Sequence, residues 1–180
     1  MRNRKWSIAA SVLALALSLS LDAQQPSQDK SKRPSPPGTA SIELKGKKVT
    51  IDYSRPSVRG RKIMGELVPY GQVWRTGANE ATTLTTGTDL NIGGAKVPAG
   101  TYTLYTLPGE SAWKLIINKQ TGQWGTEYDE AQDLVRIDMQ KSATAKLVEQ
   151  FTISFSVKDN NTFLVLEWEN TRVSVPIKAQ

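Results

Sequence analysis

The sequence predicts an all-β protein: a single antiparallel β-sandwich, jelly-roll-like, of about nine or ten strands. Three observations lead to this prediction. First, from Ala40 onward, apolar and polar residues alternate with a period of two. Second, Gly, Pro, Asn and Asp residues separate these short alternating runs. Third, Val, Ile, Thr and aromatic residues are frequent. Only "RKIMGEL" and part of "DEAQDL" could form short helical turns. Neither is long enough to cover a parallel sheet, which argues against an α/β fold.

The strands can be placed in chain order. In "KKVTIDYS", Val49, Ile51 and Tyr53 alternate with polar residues, as in a half-buried strand. Residues 81–119 contain several short strands separated by turn-forming residues such as Gly93-Gly94. Four later runs follow: "DLVRIDMQ", "KLVEQFTISFSV", "TFLVLEWEN" and "RVSVPIK". We expect tight reversals at 159–161 and 169–171.

The chain divides into three parts. Residues 1–23 are predicted to be a signal peptide, because cationic "MRNRK" precedes an apolar run of fewer than about 18 residues and Ala23 offers a cleavage point. Residues 24–37, rich in Pro, Ser and Lys, are predicted to be a disordered linker. Residues 38–180 form the β-sandwich domain. We expect an exported protein, periplasmic or extracellular, without stable membrane insertion after signal cleavage; an uncleaved N-terminal anchor is the alternative.

Cysteine and histidine are both absent from the sequence. Their absence excludes disulfides, thiolate metal sites and a cysteine nucleophile. It also excludes a Ser-His-Asp triad and histidine-ligated zinc or iron. Any chemistry must use carboxylates, Lys, Tyr or Ser, or a hard cation held by oxygen atoms. We therefore expect no cofactor, and a binding protein rather than an enzyme.

The charge of the chain bears on its partners. Removal of residues 1–23, which contain Arg2, Arg4, Lys5 and Asp22, lowers the formal net charge from +6 to +4. Part of the remaining positive charge lies in the linker, so the domain itself is only mildly basic. Nucleic acid is a poor partner for an exported domain of this charge.

The first candidate site is the long irregular region between "KKVTIDYS" and Leu84, about 25 residues where compact domains usually have far fewer. Its arginines present planar forks of donors that suit carboxylate, phosphate or sulfate. The candidate ligand-binding residues here are Arg55, Arg59, Arg61, Trp74, Arg75, Asn79 and Glu80. In the structural alternative, Arg75 pairs with Glu80, Asn79 caps backbone groups and Trp74 closes the end of the sandwich.

The second candidate site is "NKQTGQWGTEYDEAQD". Trp124 and Tyr128 could present a flat stacking surface, although large aromatic residues also dominate cores. The nearby acidic residues could gather calcium, but their spacing lacks the EF-hand order, and we predict no metal site. A third pair, Glu167 and Glu169, is spaced for the two carboxylates of glycoside hydrolysis. Two acids on one strand face are more often simply solvated.

Several long motifs resemble a bacterial exported family known as domain of unknown function 2911. They are "IDYSRPSVRGRKIMGELVPYGQVWRTGANEATTL", "VPAGTYTLYTLPG", "WKLIINKQTGQWG" and "LEWENTRVSVPI", and the resemblance runs from about Ser35 to Ile177. It implies export, but no activity, substrate or catalytic residue. It places these residues at motif positions of the family: Tyr53, Arg55, Pro56, Gly60, Arg61, Trp74, Arg75, Gly77, Asn79, Glu80, Trp124 and Gly125.

The sequence thus leads to one functional expectation and two alternatives. We expect an exported β-sandwich binding module in which arginines hold a small anionic ligand, such as an anionic glycan or another small acid, against Trp74 and Trp124. The first alternative is a structural or protein-interaction module of the cell envelope. The second is a carboxylate-based hydrolase that uses Glu80 or Glu167.

Overall fold

The computed structural model describes residues 29–180, so the predicted signal peptide at residues 1–23 lies outside the described residues. The strands are β1 (Pro37–Leu44), β2 (Lys47–Ser54), β3 (Thr83–Thr86), β4 (Leu90–Ile92), β5 (Ala95–Val97), β6 (Gly100–Leu107), β7 (Trp113–Asn118), β8 (Asp133–Lys158) and β9 (Asn161–Ala179). Two 3-10 turns, Lys30–Lys32 and Glu130–Gln132, are the only helical elements of the described chain. Across residues 29–180, no helix is long and apolar enough to span a membrane.

The nine strands form one sheet in the order β1-β2-β3-β6-β7-β8-β9-β4-β5, and every adjacent pair is antiparallel. This arrangement confirms the predicted all-β antiparallel class and the predicted strand number. Buried side chains from all nine strands share one hydrophobic cluster. The architecture is consistent with a sandwich, because the Tyr53 hydroxyl of β2 reaches across to the Ile153 backbone of β8.

Strands β8 and β9 are longer than the sequence indicated. The reversal expected at 169–171 is wrong, because β9 continues through these residues. Instead, Glu169 has a φ of 55° and the β8–β9 register shifts on both sides of Val148, which pairs with Glu169. Such bulges bend a strand without ending its ladder. Thr162 and Ile177, near the two ends of β9, line the same surface cavity. The strand therefore folds over between these two residues.

One of the two expected helical turns is present. The stretch "DEAQDL" contains the Glu130–Gln132 turn, where the Asp129 carboxylate accepts a hydrogen bond from the Ala131 backbone amide at 2.9 Å. The expectation of a helical turn at "RKIMGEL" is wrong. Its backbone instead forms turns closed by hydrogen bonds between Gly65 and Val68 and between Val68 and Ile63, at 2.9 Å each. Gly65, at a φ of 86°, cannot continue a right-handed helix.

The described end of the expected linker packs against the domain. Residues 29–37 include the first 3-10 turn and the first residue of β1. Arg33 donates to the Glu80 carboxylate at 2.9 Å, and the Pro36 carbonyl accepts from the Arg55 amide at 2.9 Å. The prolines of this stretch restrict the unfolded chain, which lowers the entropy lost on ordering it. In this stretch the structure therefore differs from the disordered linker expected over residues 24–37.

The turn between β4 and β5 provides a matched test of the packing of β8 and β9. Gly93 and Gly94 both have positive φ, at 57° and 94°. A Cβ at Gly93 would collide with Ile137 and lie 2.9 Å from Val175, whereas a Cβ at Gly94 meets nothing within 4 Å. We predict that Gly93→Ala lowers the free energy of unfolding by about 1–3 kcal/mol more than Gly94→Ala does. Urea denaturation of the two variants measures the difference, and equal losses would contradict the packing described here.

Candidate functional site

The two irregular regions singled out in the sequence lie at the same end of the sheet and pair with each other. Glu80 and Trp124 form an antiparallel bridge, and the Gly125 amide donates to the Asn79 carbonyl at 2.9 Å. A Cβ on Gly125 would lie 2.9 Å from the Asn79 carbonyl oxygen and 3.0 Å from Cδ of Arg75. Only glycine allows this approach, so the second region forms a wall against which the Arg75 side chain rests.

A cavity of about 480 Å³ opens beside this pairing. Of the residues predicted from the sequence, it is lined by Arg61, Trp74, Arg75 and Tyr128. Tyr105 of β6 and Trp168 of β9 also line it, and sequence reasoning missed both because they lie in regular strands. The available signal was that "TLYTL" and "FLVLEW" are apolar on both faces, which indicates that something covers the outer face as well.

The Arg75 guanidinium makes a single hydrogen bond with the described part of the protein. Its Nε donates to the Gly77 carbonyl at 3.2 Å, and its side chain is half-buried at the cavity wall. Within residues 29–180, its terminal Nη atoms make no hydrogen bond and no salt bridge. Glu80, the partner expected in the structural alternative, pairs instead with Lys30 and Arg33 at 2.9 Å each. Arg75 therefore keeps a pair of donors that can meet a ligand.

The other three candidate arginines bind backbone carbonyls. Arg55 donates from Nε to the Phe151 carbonyl at 3.2 Å, and Arg59 donates to the Pro34 carbonyl at 3.2 Å. Arg61 donates to the Val58 and Ser57 carbonyls at 3.0 and 2.6 Å. Arg55 and Arg59 lie outside the cavity lining, and they join the irregular region to β8 and to the N-terminal segment. The structure thus brings two of the four candidate arginines, Arg61 and Arg75, to one cavity.

Asn79 and Glu80 hold the N-terminal segment rather than the cavity. The Asn79 Nδ2 donates to the Ser35 carbonyl at 3.1 Å and to the Ser54 hydroxyl at 3.2 Å. Desolvation raises the pKa of Glu80, but hydrogen bonds from Lys30 and Arg33 outweigh it and lower the pKa to about 2. The Glu80 carboxyl therefore stays ionised at neutral pH and serves as an acceptor for these two cations.

The cavity tyrosines have their hydroxyls occupied internally. The Tyr128 hydroxyl donates to Asp133 at 2.7 Å and accepts from Arg136 at 2.8 Å. Burial and the hydrogen bond to Asp133 raise the pKa of Tyr128 to about 12, so it remains a neutral phenol. The Tyr105 ring meets the Tyr128 ring edge to face, with 4.9 Å between centroids. Trp124 lies outside the cavity lining and is 45% exposed beside it.

Thr76, next to Arg75, has an unusual backbone conformation. It is fully buried and has a φ of 52°, which is rare for a β-branched residue. Its hydroxyl hydrogen-bonds with the Thr106 hydroxyl at 3.1 Å, and its carbonyl accepts from the Thr82 hydroxyl at 2.8 Å. Strained residues of this kind persist only where their surroundings hold them, and they cluster at ligand sites. This strained residue directly follows Arg75, which lines the cavity.

Three of the acidic candidates are bound to protein cations. Asp133 and Glu130 pair with Arg136 at 2.9 and 2.8 Å, and Glu167 pairs with Arg172 at 2.7 Å. The bulge at Glu169 breaks the alternation that would place its carboxylate beside that of Glu167. In the part of the chain that the structure describes, no group of three or more Asp and Glu side chains is placed to hold a metal ion.

These features define a class of protein: an antiparallel all-β domain with an arginine- and aromatic-lined cavity at one end. The family described as protein of unknown function (DUF2911) matches residues 35–177, and the chain belongs to this family. The comparison with curated proteins finds no match. The comparison with solved structures finds none either.

The ion pairs of Glu80 make the stability of the domain depend on pH. Because the pKa of Glu80 is lowered from 4.5 to about 2 in the folded protein, its stabilising effect is present above pH 4.5 and is lost as the pH falls toward 2. The side chain is 40% exposed, so we predict that Glu80→Gln lowers the free energy of unfolding by about 1 kcal/mol at pH 7. The difference from wild type should shrink between pH 4.5 and pH 2.

Urea denaturation across this pH range measures the effect. Glu66→Gln is the matched control, because Glu66 makes a single exposed salt bridge, with Lys62 at 3.4 Å, four residues away. A wild-type to Glu80→Gln difference that stays constant down to pH 2 would contradict the assignment of these ion pairs.

Proposed function

We propose that this protein is an exported binding module that holds a small organic acid, such as an anionic glycan or another small acid, in the cavity beside Arg75. One observation carries the proposal: Arg75 lines a cavity of about 480 Å³ with its terminal Nη atoms unbonded to residues 29–180. Ligand cavities commonly have volumes of about 300–1,000 Å³ and combine apolar walls with a few convergent polar groups.

A carboxylate suits Arg75 for geometric and electrostatic reasons. Two parallel N–H donors match the two oxygens of a carboxylate, and the charge assistance makes these hydrogen bonds stronger than neutral ones. Arg61 adds a second positive charge to the lining. None of the lining residues is Asp or Glu, so the cavity favours an anion.

Export remains part of the proposal and rests on the sequence. The cationic start, the short apolar run and Ala23 support a cleaved signal peptide at residues 1–23. The sequence has no cysteine, so the domain relies on its core and not on disulfides. We place the binding site on the mature domain in the periplasm or outside the cell.

One set of contacts favours the first alternative, a structural or protein-interaction module of the cell envelope. Arg55, Asn79 and Glu80 were candidates for ligand binding, yet each is engaged in holding one part of the chain to another. On that alternative, Arg75 would also act only within the protein. The binding proposal and this structural alternative therefore make different predictions for Arg75, and the same predictions for the other polar residues.

The second alternative, a carboxylate-based hydrolase, requires a carboxyl group that can donate a proton near neutral pH. Glu80 does not meet this requirement, because hydrogen bonds from Lys30 and Arg33 outweigh desolvation and lower its pKa to about 2. Glu167 is bound to Arg172. We therefore retain binding as the proposed function.

The proposal predicts a selective effect of Arg75→Gln. The variant should stay folded, losing no more than about 1.5 kcal/mol of unfolding free energy, because one hydrogen bond to a carbonyl is removed. It should lose about ten- to hundredfold in affinity for any acid that stabilises the wild type. The measurement is a thermal-shift screen of D-glucuronate, D-galacturonate, benzoate and 1-naphthoate against their uncharged analogues, followed by titration calorimetry.

Lys178→Gln is the control variant. Lys178 lines a separate cavity of about 820 Å³ near Lys45 and Asn160, at the other end of β2, so its charge is removed without touching the proposed site. It should bind acids as the wild type does. If no acid stabilises the wild type, or if Lys178→Gln weakens binding as much as Arg75→Gln does, the proposed site is wrong.

A further inference from the structure

Four aromatic residues, Trp74, Tyr105, Tyr128 and Trp168, line the cavity beside Arg75. Tyr105 and Trp168 are almost fully buried, at 1% and 2% exposure, while Trp74 and Tyr128 are half-buried. Trp74 and Trp168 stack with 5.7 Å between ring centroids and 14° between their planes. These rings are held by other aromatic contacts, including Phe151 at 5.0 Å from Trp74, so the cavity has a stiff, flat apolar wall.

The polar atoms of the two cavity tyrosines are not available to a ligand. The Tyr105 hydroxyl donates to the Glu127 carbonyl at 2.9 Å and accepts from Gln123 at 3.1 Å. The Tyr128 hydroxyl is engaged in the same way by Asp133 and Arg136. Since each hydroxyl already donates and accepts, neither is free to bind a ligand, and the half-buried Tyr128 can offer only its ring.

The remaining side-chain donors are unevenly distributed. Ser35, which is half-buried like Arg75, and the exposed Thr126 each bring a hydroxyl to the lining. Val68, Tyr105 and Trp168, in contrast, are buried. Arg75 is half-buried and neither of its Nη atoms is bonded within the described residues, whereas Arg61 is exposed and its Nη2 is bound to the Ser57 carbonyl. The buried Nε1 of Trp168 has no hydrogen-bond partner and is a further donor, whereas none of the described lining residues is Asn, Gln, Asp or Glu. The cavity therefore combines a cationic fork and an indole donor with few side-chain acceptors for the hydroxyls of a ligand.

This distribution discriminates between the two kinds of acid considered above. A glycan carries a hydroxyl on almost every carbon, and each hydroxyl that leaves water without a partner costs free energy. An aromatic acid places all its polarity in one carboxylate and offers a ring to the apolar wall. The second pattern matches the cavity and the first does not.

We infer that the ligand of this cavity is a planar aromatic carboxylic acid, whose carboxylate pairs with Arg75 and whose ring lies against Tyr128 and Trp74. The inference rests on the proposed function, because it names the class of acid that the Arg75 cavity takes. The volume of about 480 Å³ admits an acid of one or two rings.

Titration calorimetry of the mature protein, residues 24–180, with three probes tests the inference. The probes are 1-naphthoate, the uncharged 1-naphthamide and the non-aromatic D-glucuronate. 1-Naphthoate should bind at least about tenfold more tightly than either of the others, because it alone supplies both the charge and the ring. Arg75→Gln should remove most of the preference for 1-naphthoate over 1-naphthamide.

Two substitutions at Tyr128 separate the ring from the hydroxyl. Tyr128→Phe should keep the affinity for 1-naphthoate within about twofold, because the hydroxyl is bound to Asp133 and Arg136 and not to the ligand. Tyr128→Leu should weaken binding by about tenfold, because it removes the ring. Tyr70→Leu is the control, since Tyr70 is a half-buried tyrosine outside the cavity lining, and thermal melts confirm that each variant is folded.

The outcomes distinguish the inference from the proposed function on which it rests. If D-glucuronate binds as tightly as 1-naphthoate, and Arg75→Gln abolishes its binding, the aromatic class is wrong while the proposed acid site stands. If 1-naphthamide binds as tightly as 1-naphthoate, the pairing of the carboxylate with Arg75 is wrong. If none of the probes binds the wild type, both the inference and the proposed function fail.

Discussion

The backbone pairing between residues 79–81 and 123–125 is the constraint on which this end of the molecule depends. The Gly125 amide bonds to the Asn79 carbonyl at 2.9 Å, and the Ala81 amide bonds to the Gln123 carbonyl at 3.2 Å. This short ladder joins two connections that are distant in the chain and brings the missing Cβ of Gly125 against the stem of Arg75. Without it, the cavity would lose one wall and the guanidinium would lose its support.

Around this pairing, the polar residues divide into two groups. Arg55, Asn79 and Glu80 satisfy carbonyls, hydroxyls and ammonium groups of the protein, as buried or half-buried polar groups generally must. Arg75 satisfies one carbonyl and retains its terminal donors. Residues of the same types, a few positions apart, therefore either hold the fold together or remain available to a ligand. Only the contacts of each side chain show which of the two roles it has.

The long strands β8 and β9 explain how a small domain supports such a site. Each strand contributes to the sheet over its whole length, with register shifts where the chain bends. The bend in β9 lets Trp168 stack on Trp74 from the irregular region, so a core aromatic becomes part of the cavity wall. The rigidity of the proposed site thus comes from the same aromatic packing that closes the end of the sheet.

The sequence by itself determined the fold class, because period-two alternation and turn residues are local signals. It also identified Arg61, Trp74, Arg75 and Tyr128 as candidates. It misplaced the boundary at 169–171, since Glu-Asn-Thr serves a bulge as readily as a turn. Only the tertiary structure decided that Arg33, not Arg75, pairs with Glu80, and that Tyr105 and Trp168 line the cavity. These are contacts between residues far apart in the chain, which no local pattern encodes.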